Sequence, residues 1–150
     1  MFFLKELPTR QMLRGYAARY PEMDADVVDQ ALRLMRHASL LMRELEAYFA
    51  ERGTSQTRFL TLIVIDREPN QDGLLPSEIA RRLDVSRPVV TATIKALVRD
   101  GLLGAVRSTE DGRAKRVSLT ANGRVVLAGL LPGYFVLIAD FMAKTAQNGA

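Results

Sequence analysis

The excess of guanidinium and ammonium groups over carboxylates lies in one third of this 150-residue chain. The segment from Leu74 to Thr120 has 9 Lys and Arg against 5 Asp and Glu, whereas the other residues have 12 against 12. The formal charge of +4 therefore comes from this segment alone. Localised positive charge favours a polyanionic partner such as nucleic acid, although a solvated basic surface has the same composition.

The spacing inside this segment predicts two helices joined by a tight turn, which is a helix-turn-helix. Pro76 suits the first turn of the first helix, and Ser86 suits the N-cap of the second helix. Gly101 is expected to end the second helix. The residues expected to face the core recur at i, i+4 and i+7. They are Val90, Ile94 and Leu97.

The other side of the second helix carries groups that can contact DNA. An α-helix fits the major groove of B-DNA, which is about 12 Å wide. Arg87 can pair with O6 and N7 of guanine, Thr91 with a base edge or a phosphate, and Lys95 with a phosphate. The DNA contacts predicted on this helix are Ser86, Arg87, Val89, Thr91, Ala92 and Lys95.

Two β-prone runs, 102–107 and 115–119, follow this helix and predict a hairpin, with Asp111-Gly112 in the loop between them. A hairpin tipped by a cation can place that cation in a narrow minor groove, where the negative potential is enhanced. Arg113 is the residue predicted to insert. The flanking residues predicted to contact phosphates are Arg107, Lys115 and Arg116.

The flanking segments predict long apolar helices. A helical apolar pattern begins after a predicted N-cap at Asp24 and ends at Gly53, a length of about 40 Å, which suits a scaffold shared by two subunits. From 125 to 143 Asp140 is the sole charged residue, and this run approaches the length of a membrane span. Pro132-Gly133 and Asp140 argue against a span and favour a pair of helices buried in a subunit interface.

Enzymatic chemistry finds no support in the composition. The chain has no cysteine and one histidine, His37, which excludes thiol catalysis and thiolate metal sites. We find no nucleophile–base pair, phosphate-cradling glycine loop or metal-ligand spacing in the sequence. We therefore expect a protein that is not an enzyme and needs no metal or other cofactor. The first residues lack a signal-peptide core, so a cytoplasmic location is expected.

Four stretches resemble the MarR (multiple antibiotic resistance regulator) family. They are Leu75-Pro76-Ser77-Glu78-Ile79-Ala80-Arg81-Arg82-Leu83-Asp84-Val85-Ser86-Arg87-Pro88, the end of the next helix from Leu97 to Gly101-Leu102, Asp111-Gly112-Arg113, and Val117-Ser118-Leu119-Thr120-Ala121-Asn122-Gly123. The resemblance implies a winged helix-turn-helix in a homodimer whose terminal helices intertwine. It also implies repression at palindromic operators, relieved by a small ligand in a crevice between the dimerisation helices and the DNA-binding lobe.

The sequence departs from the family pattern at three positions. Gly112 replaces the middle Arg of the usual Asp-Arg-Arg wing motif, which removes one expected phosphate contact. Ala92 stands where many members have a basic residue, so their base preference does not carry over. Leu75 stands where Thr or Ser usually caps the helix, so a weaker helix start is expected there.

The expected fold is mainly α with a small β wing, a winged helix-turn-helix with N- and C-terminal dimerisation helices. Residues 1–150 are expected to form a single domain, with dimerisation helices at 24–53 and 121–146 and the winged lobe at 55–120. We expect a sequence-specific transcription regulator, a ligand-responsive repressor that binds double-stranded DNA as a homodimer. Its effector would be small and aromatic or anionic, and no membrane is involved. The alternative is a dimeric winged-helix protein-interaction module without DNA binding.

Overall fold

Helices dominate the computed structural model, which describes residues 2–69, 72–107 and 115–147. The elements are α1 (Arg10–Ala17), α2 (Ala25–Ala50), α3 (Gln56–Asp66), α4 (Pro76–Arg82), α5 (Arg87–Arg99), β1 (Leu103–Arg107), β2 (Lys115–Leu119) and α6 (Ala121–Gln147). The predicted class, mainly α with a small β wing, is confirmed.

A polar cap and a glycine set the ends of α2 where the sequence predicted them, and a second polar cap begins α3. The Asp24 carboxylate accepts hydrogen bonds from the backbone N–H groups of Asp26 (2.9 Å) and Val27 (3.1 Å), which begins α2. After α2 the chain turns at Gly53, whose φ of 67° suits glycine. The Ser55 hydroxyl accepts from the Arg58 N–H at 3.3 Å and begins α3.

Two compact units divide the chain. The helical unit comprises Met1–Ala47 and Leu137–Ala150, and the winged unit comprises Tyr48–Val136. The core of the winged unit includes an aromatic cluster in which the ring of Phe59 lies 4.7 Å from that of Phe49 and 4.8 Å from that of Tyr134, centroid to centroid. The predicted division into dimerisation helices and winged lobe remains a prediction.

The wing is an antiparallel pair of strands, β1 and β2, with Leu103 opposite Leu119. The chain before α4 joins this sheet, because Leu74 and Val117 exchange two backbone hydrogen bonds of 2.9 and 2.8 Å. Gly73 makes this approach possible: its φ is 77°, and a Cβ there would lie 2.4 Å from the carbonyl oxygen of Val117. The wing is therefore attached to the start of the helix-turn-helix.

The C-terminal helix α6 is continuous through Pro132 and Gly133. Proline removes one backbone donor inside the helix without ending it. Close by, the Tyr48 hydroxyl at the end of α2 donates to the carbonyl oxygen of Leu130 at 2.6 Å. At Gly133 an added Cβ would lie 2.5 Å from the Tyr48 hydroxyl oxygen. Gly133 thus accommodates Tyr48 rather than ending the helix.

This continuity removes one of the arguments against a membrane span. By length and composition alone, Ala121–Ala146 could cross a membrane, and 17% of its most apolar stretch is buried in the described chain. The core helix of a soluble protein passes the same test, so this is weak evidence. The large apolar side chains left exposed on α6 are Val125, Phe135, Val136 and Met142. Exposed apolar surface of this kind is typical of a site of contact with another molecule.

We predict that Gly123→Ala destabilises the protein, because its Cβ would lie 2.1 Å from the carbonyl oxygen of Leu102. The free energy of unfolding should fall by about 1–3 kcal/mol in urea titrations at fixed protein concentration. Gly129→Ala in the same helix is the matched control, since nothing lies within 4 Å of its added Cβ. There alanine should stabilise the helix by up to about 1 kcal/mol. Equal effects of the two substitutions would contradict the close approach.

Candidate nucleic-acid interface

Helix α5 presents its two sides as the sequence predicted. Val90, Ile94 and Leu97 are buried, and the helix packs against α3, α4 and β1. The side chains on the opposite side are exposed. They include Ser86, Arg87, Val89, Thr91, Ala92 and Lys95. Because the apolar side of α5 is buried, the helix presents the side with Arg87, Thr91 and Lys95 to solvent.

The start of α5 leaves donors available for an anion. Ser86 occupies the N-cap position, but within the described chain its hydroxyl makes no capping hydrogen bond. The first helical bond runs from the Val90 N–H to the Ser86 carbonyl oxygen at 3.1 Å, so the amides of Arg87 and Val89 precede the helical ladder. Pro88 between them has no N–H. Two backbone donors, a hydroxyl and a guanidinium thus meet at one helix end, which suits a phosphate.

Thr93 differs from Thr91 although both lie on α5. The Thr93 hydroxyl donates to the carbonyl oxygen of Val89 at 2.8 Å within the helix, and the side chain is partly buried. Thr91 is exposed. Of these two threonines, Thr91 is the one placed to meet a base edge or phosphate.

Helix α4 begins without a hydroxyl cap, as the sequence implied, but a carboxylate compensates. Glu78 accepts the backbone N–H of Leu75 at 2.8 Å. Its carboxylate also lies 3.5 Å from the Arg116 guanidinium, which donates to the carbonyl oxygen of Gly73 at 3.1 Å. The predicted weakness at Leu75 is therefore offset by a carboxylate that also holds β2.

These bonds give Arg116 a structural role that the sequence did not predict. Its guanidinium is partly buried and engaged by Gly73 and Glu78, so it joins the wing to α4. The phosphate contact predicted for Arg116 stays a prediction. Lys115 is exposed at the end of β2 and lies opposite Arg107 in the hairpin register. Arg113, predicted to enter the minor groove, lies outside the described residues.

A groove of about 520 Å³ lies between α5 and the wing strands. Its apolar lining includes Ile94 and Val98, and cationic side chains from both walls, Lys95 and Lys115 among them, also line it. Thr91 lines the groove too, so the same space borders three of the predicted DNA contacts. The arrangement suits a flat apolar molecule with a negative charge as well as a DNA backbone.

The end of α5 is held by an ion pair that sequence reasoning missed. Arg58 of α3 donates to the Asp100 carboxylate at 2.6 Å, and Arg99 adds a longer contact of 3.3 Å. The hydrogen bond from Arg58, and to a smaller extent that from Arg99, lowers the pKa of Asp100 from its ordinary value of 3.8. Because the folded-state pKa is depressed, the stabilisation is present above the ordinary pKa and is lost as pH falls through the folded value. No local sequence pattern indicates the pairing of Arg58 with Asp100, because the two residues are 42 positions apart in the chain.

Comparison with known proteins identifies this architecture. The MarR family profile matches residues 52–114. The HTH-type transcriptional repressor YetL of Bacillus subtilis is 31% identical over 146 residues, which cover 97% of this chain and 86% of the relative. The chain belongs to the MarR family. The resemblance found in its helix-turn-helix and wing motifs is thereby confirmed, and the family is one of transcriptional regulators.

Solved structures agree with this assignment. The Mycobacterium tuberculosis transcriptional regulator MosR, crystallised in complex with DNA, is 31% identical and covers 73% of this chain and 81% of its own, with a TM-score of 0.59. A M. tuberculosis MarR family protein in complex with salicylic acid has a TM-score of 0.62 at 24% identity, covering 76% of this chain and 82% of its own. The second similarity concerns the fold alone. The winged helix-turn-helix architecture of this MarR-family chain is thus confirmed.

Proposed function

We propose that this MarR-family chain is a sequence-specific DNA-binding transcription regulator that acts as a homodimeric repressor on a palindromic operator. The observation that carries the proposal is the division of α5 into a buried apolar side and an exposed side with Arg87, Thr91 and Lys95. A helix held in this way can enter the major groove while α4 crosses the backbone.

Each exposed group has a distinct part in this proposal. Arg87, in the first turn, donates two hydrogen bonds to O6 and N7 of a guanine. Thr91 contacts a base edge or a phosphate one turn further on. Lys95 and Lys115 neutralise phosphates, and the Ser86 hydroxyl with the free amides at the start of α5 binds another. Arg113 remains our proposal for the minor groove.

A homodimer follows from the apolar surface that the chain leaves exposed. On α2 the exposed apolar side chains include Val27, Leu34, Met35 and Met42, which recur at helical spacing. Together with the apolar surface of α6, they are better explained by a second copy than by solvent. A twofold dimer would place two α5 helices on half-sites about one helical turn apart, and hence on a palindrome.

The relative YetL is named a repressor, which supports repression rather than activation. A regulator of DNA acts where the chromosome lies, so we place the protein in the cytoplasm.

The groove between α5 and the wing gives the proposed effector a physical basis. A small aromatic acid would place its ring against Ile94 and Val98 and its carboxylate near Lys95 or Lys115. Occupancy would then compete directly with the phosphates that the same lysines contact. This route is separate from the crevice that the family resemblance implies.

The first test selects an operator from random duplexes and then measures Arg87→Ala on that operator. Loss of a bidentate guanine contact should cost about 1–3 kcal/mol and relax the preference at one base pair of each half-site. Arg67→Ala, which removes an exposed arginine just after α3, is the control and should bind like the parent. Parental affinity and specificity in Arg87→Ala would remove Arg87 from base recognition.

Salt dependence separates DNA binding from the alternative of a protein-interaction module. If the exposed cations neutralise phosphates, log K for the operator should fall linearly with log salt, with a slope of about −0.9 per phosphate contacted. Titrations by fluorescence anisotropy between low and physiological salt measure this slope. A flat response, or no selectable operator, would favour a dimeric winged-helix module that binds protein instead.

Salicylic acid tests the effector proposal on the same operator. At saturating ligand the apparent Kd for DNA should rise about tenfold or more, which corresponds to about 1.4 kcal/mol of coupling. Val98→Glu, which places a carboxylate in the groove, should abolish this response by repelling the ligand. An unchanged Kd in the parent, or an unaltered response in Val98→Glu, would contradict ligand binding in this groove.

A further inference from the structure

The first 32 residues contain two consecutive blocks of opposite charge. From 10 to 20, the basic block has three arginines and no acidic residue: Arg10, Arg14 and Arg19. From 21 to 32, the acidic block has four carboxylates and no basic residue: Glu22, Asp24, Asp26 and Asp29. The basic block forms α1 and the turn after it, and the acidic block forms the start of α2.

The two blocks do not neutralise each other within one chain. In the described ranges no ion pair joins them. Asp29 pairs with Arg33 inside α2 at 2.8 Å, and Asp24 caps that helix. Arg19 donates to the carbonyl oxygen of Gly15 at 3.3 Å and lies 4.8 Å from the centroid of the Tyr16 ring. Charge of both signs therefore remains available to a partner.

An exposed apolar surface accompanies the charges. Leu13 anchors α1 by burial, but Met12, Tyr16 and Tyr20 are each more than half exposed. The two tyrosine rings stack at 6.3 Å. Val27, in the acidic block, is exposed to the same degree. An apolar centre with a charged rim is the usual composition of a protein–protein contact.

We infer that the basic block of one copy docks on the acidic block of a second copy, and the reverse, around the twofold axis. The inference rests on the proposed homodimer and gives residues 10–32 a part in it. A twofold interface is self-complementary, so adjacent blocks of opposite sign on one chain meet their complements twice. DNA is the weaker candidate, because the two blocks together carry one more acid than base and would not attract a polyanion.

A charge exchange between two variants tests this pairing. The first variant carries Arg10→Glu and Arg14→Glu, and the second carries Glu22→Lys and Asp26→Lys, which spares the Asp24 cap. At the substituted positions, each homodimer then places like charges opposite each other at both contacts. A heterodimer of the two variants places unlike charges opposite each other at both contacts. At low salt the Kd of each variant homodimer should rise about tenfold or more. Native mass spectrometry of the mixture should show heterodimers well above the statistical proportion.

The control replaces Glu22→Lys and Asp26→Lys by Asp66→Lys and Asp72→Lys, two exposed acids of the winged unit with the same change of charge. Mixed with the first variant, this control should show no excess of heterodimer. Statistical assortment in the test mixture, with the parent dimeric, would overturn the pairing and leave the homodimer standing. A parent that is monomeric would instead remove the homodimer itself. Normal dimerisation of the first variant with a shallower salt slope on operator DNA would reassign α1 to DNA.

Discussion

Burial of one side of α5 is the constraint on which the rest of the winged unit depends. Val90, Ile94 and Leu97 are almost completely enclosed, and each buried side chain of this size stabilises the fold by roughly 1.5–3 kcal/mol. Rotating the helix to hide Arg87 would forfeit that burial and leave a guanidinium in an apolar site. Packing of the core therefore determines which side chains of α5 are exposed.

Helix α5 is also fixed at its C-terminal end, and the wing is tied to the start of α4. Arg58 holds Asp100 just after the last turn, and Glu78 and Gly73 hold Arg116 of β2. The exchange of hydrogen bonds between Leu74 and Val117 joins the same region through the backbone. These contacts keep the wing at a fixed place relative to the start of α4. In the proposed complex, α5 and the wing need such a fixed spacing to reach adjacent grooves of DNA.

The elements that the sequence predicted well are those set by local chemistry. Asp24, Gly53 and Gly101 act within one helical turn of their own positions, so their effects are visible in the sequence alone. The prediction missed the contact between Tyr48 and α6, because the two are remote in the chain. It missed the partners of Arg116 for the same reason, since nothing near Arg116 in the sequence indicates Gly73 or Glu78. On α5 the spacing of the apolar residues was sufficient to tell the exposed residues from the buried ones. The contacts proposed between these exposed residues and DNA depend on an operator, which the amino-acid sequence does not specify.

Pro88, in the first turn of α5, affects the entropic cost of the proposed binding to DNA. The pyrrolidine ring restricts the backbone of the free protein at the place where a frayed helix end would otherwise have to become ordered. In the proposed complex, binding to DNA would immobilise mainly the long side chain of Arg87 and little of its main chain, which would lower the entropic cost of binding. Because Pro88 has no backbone N–H, a phosphate has one donor fewer at this helix end, but the first turn of α5 is more rigid.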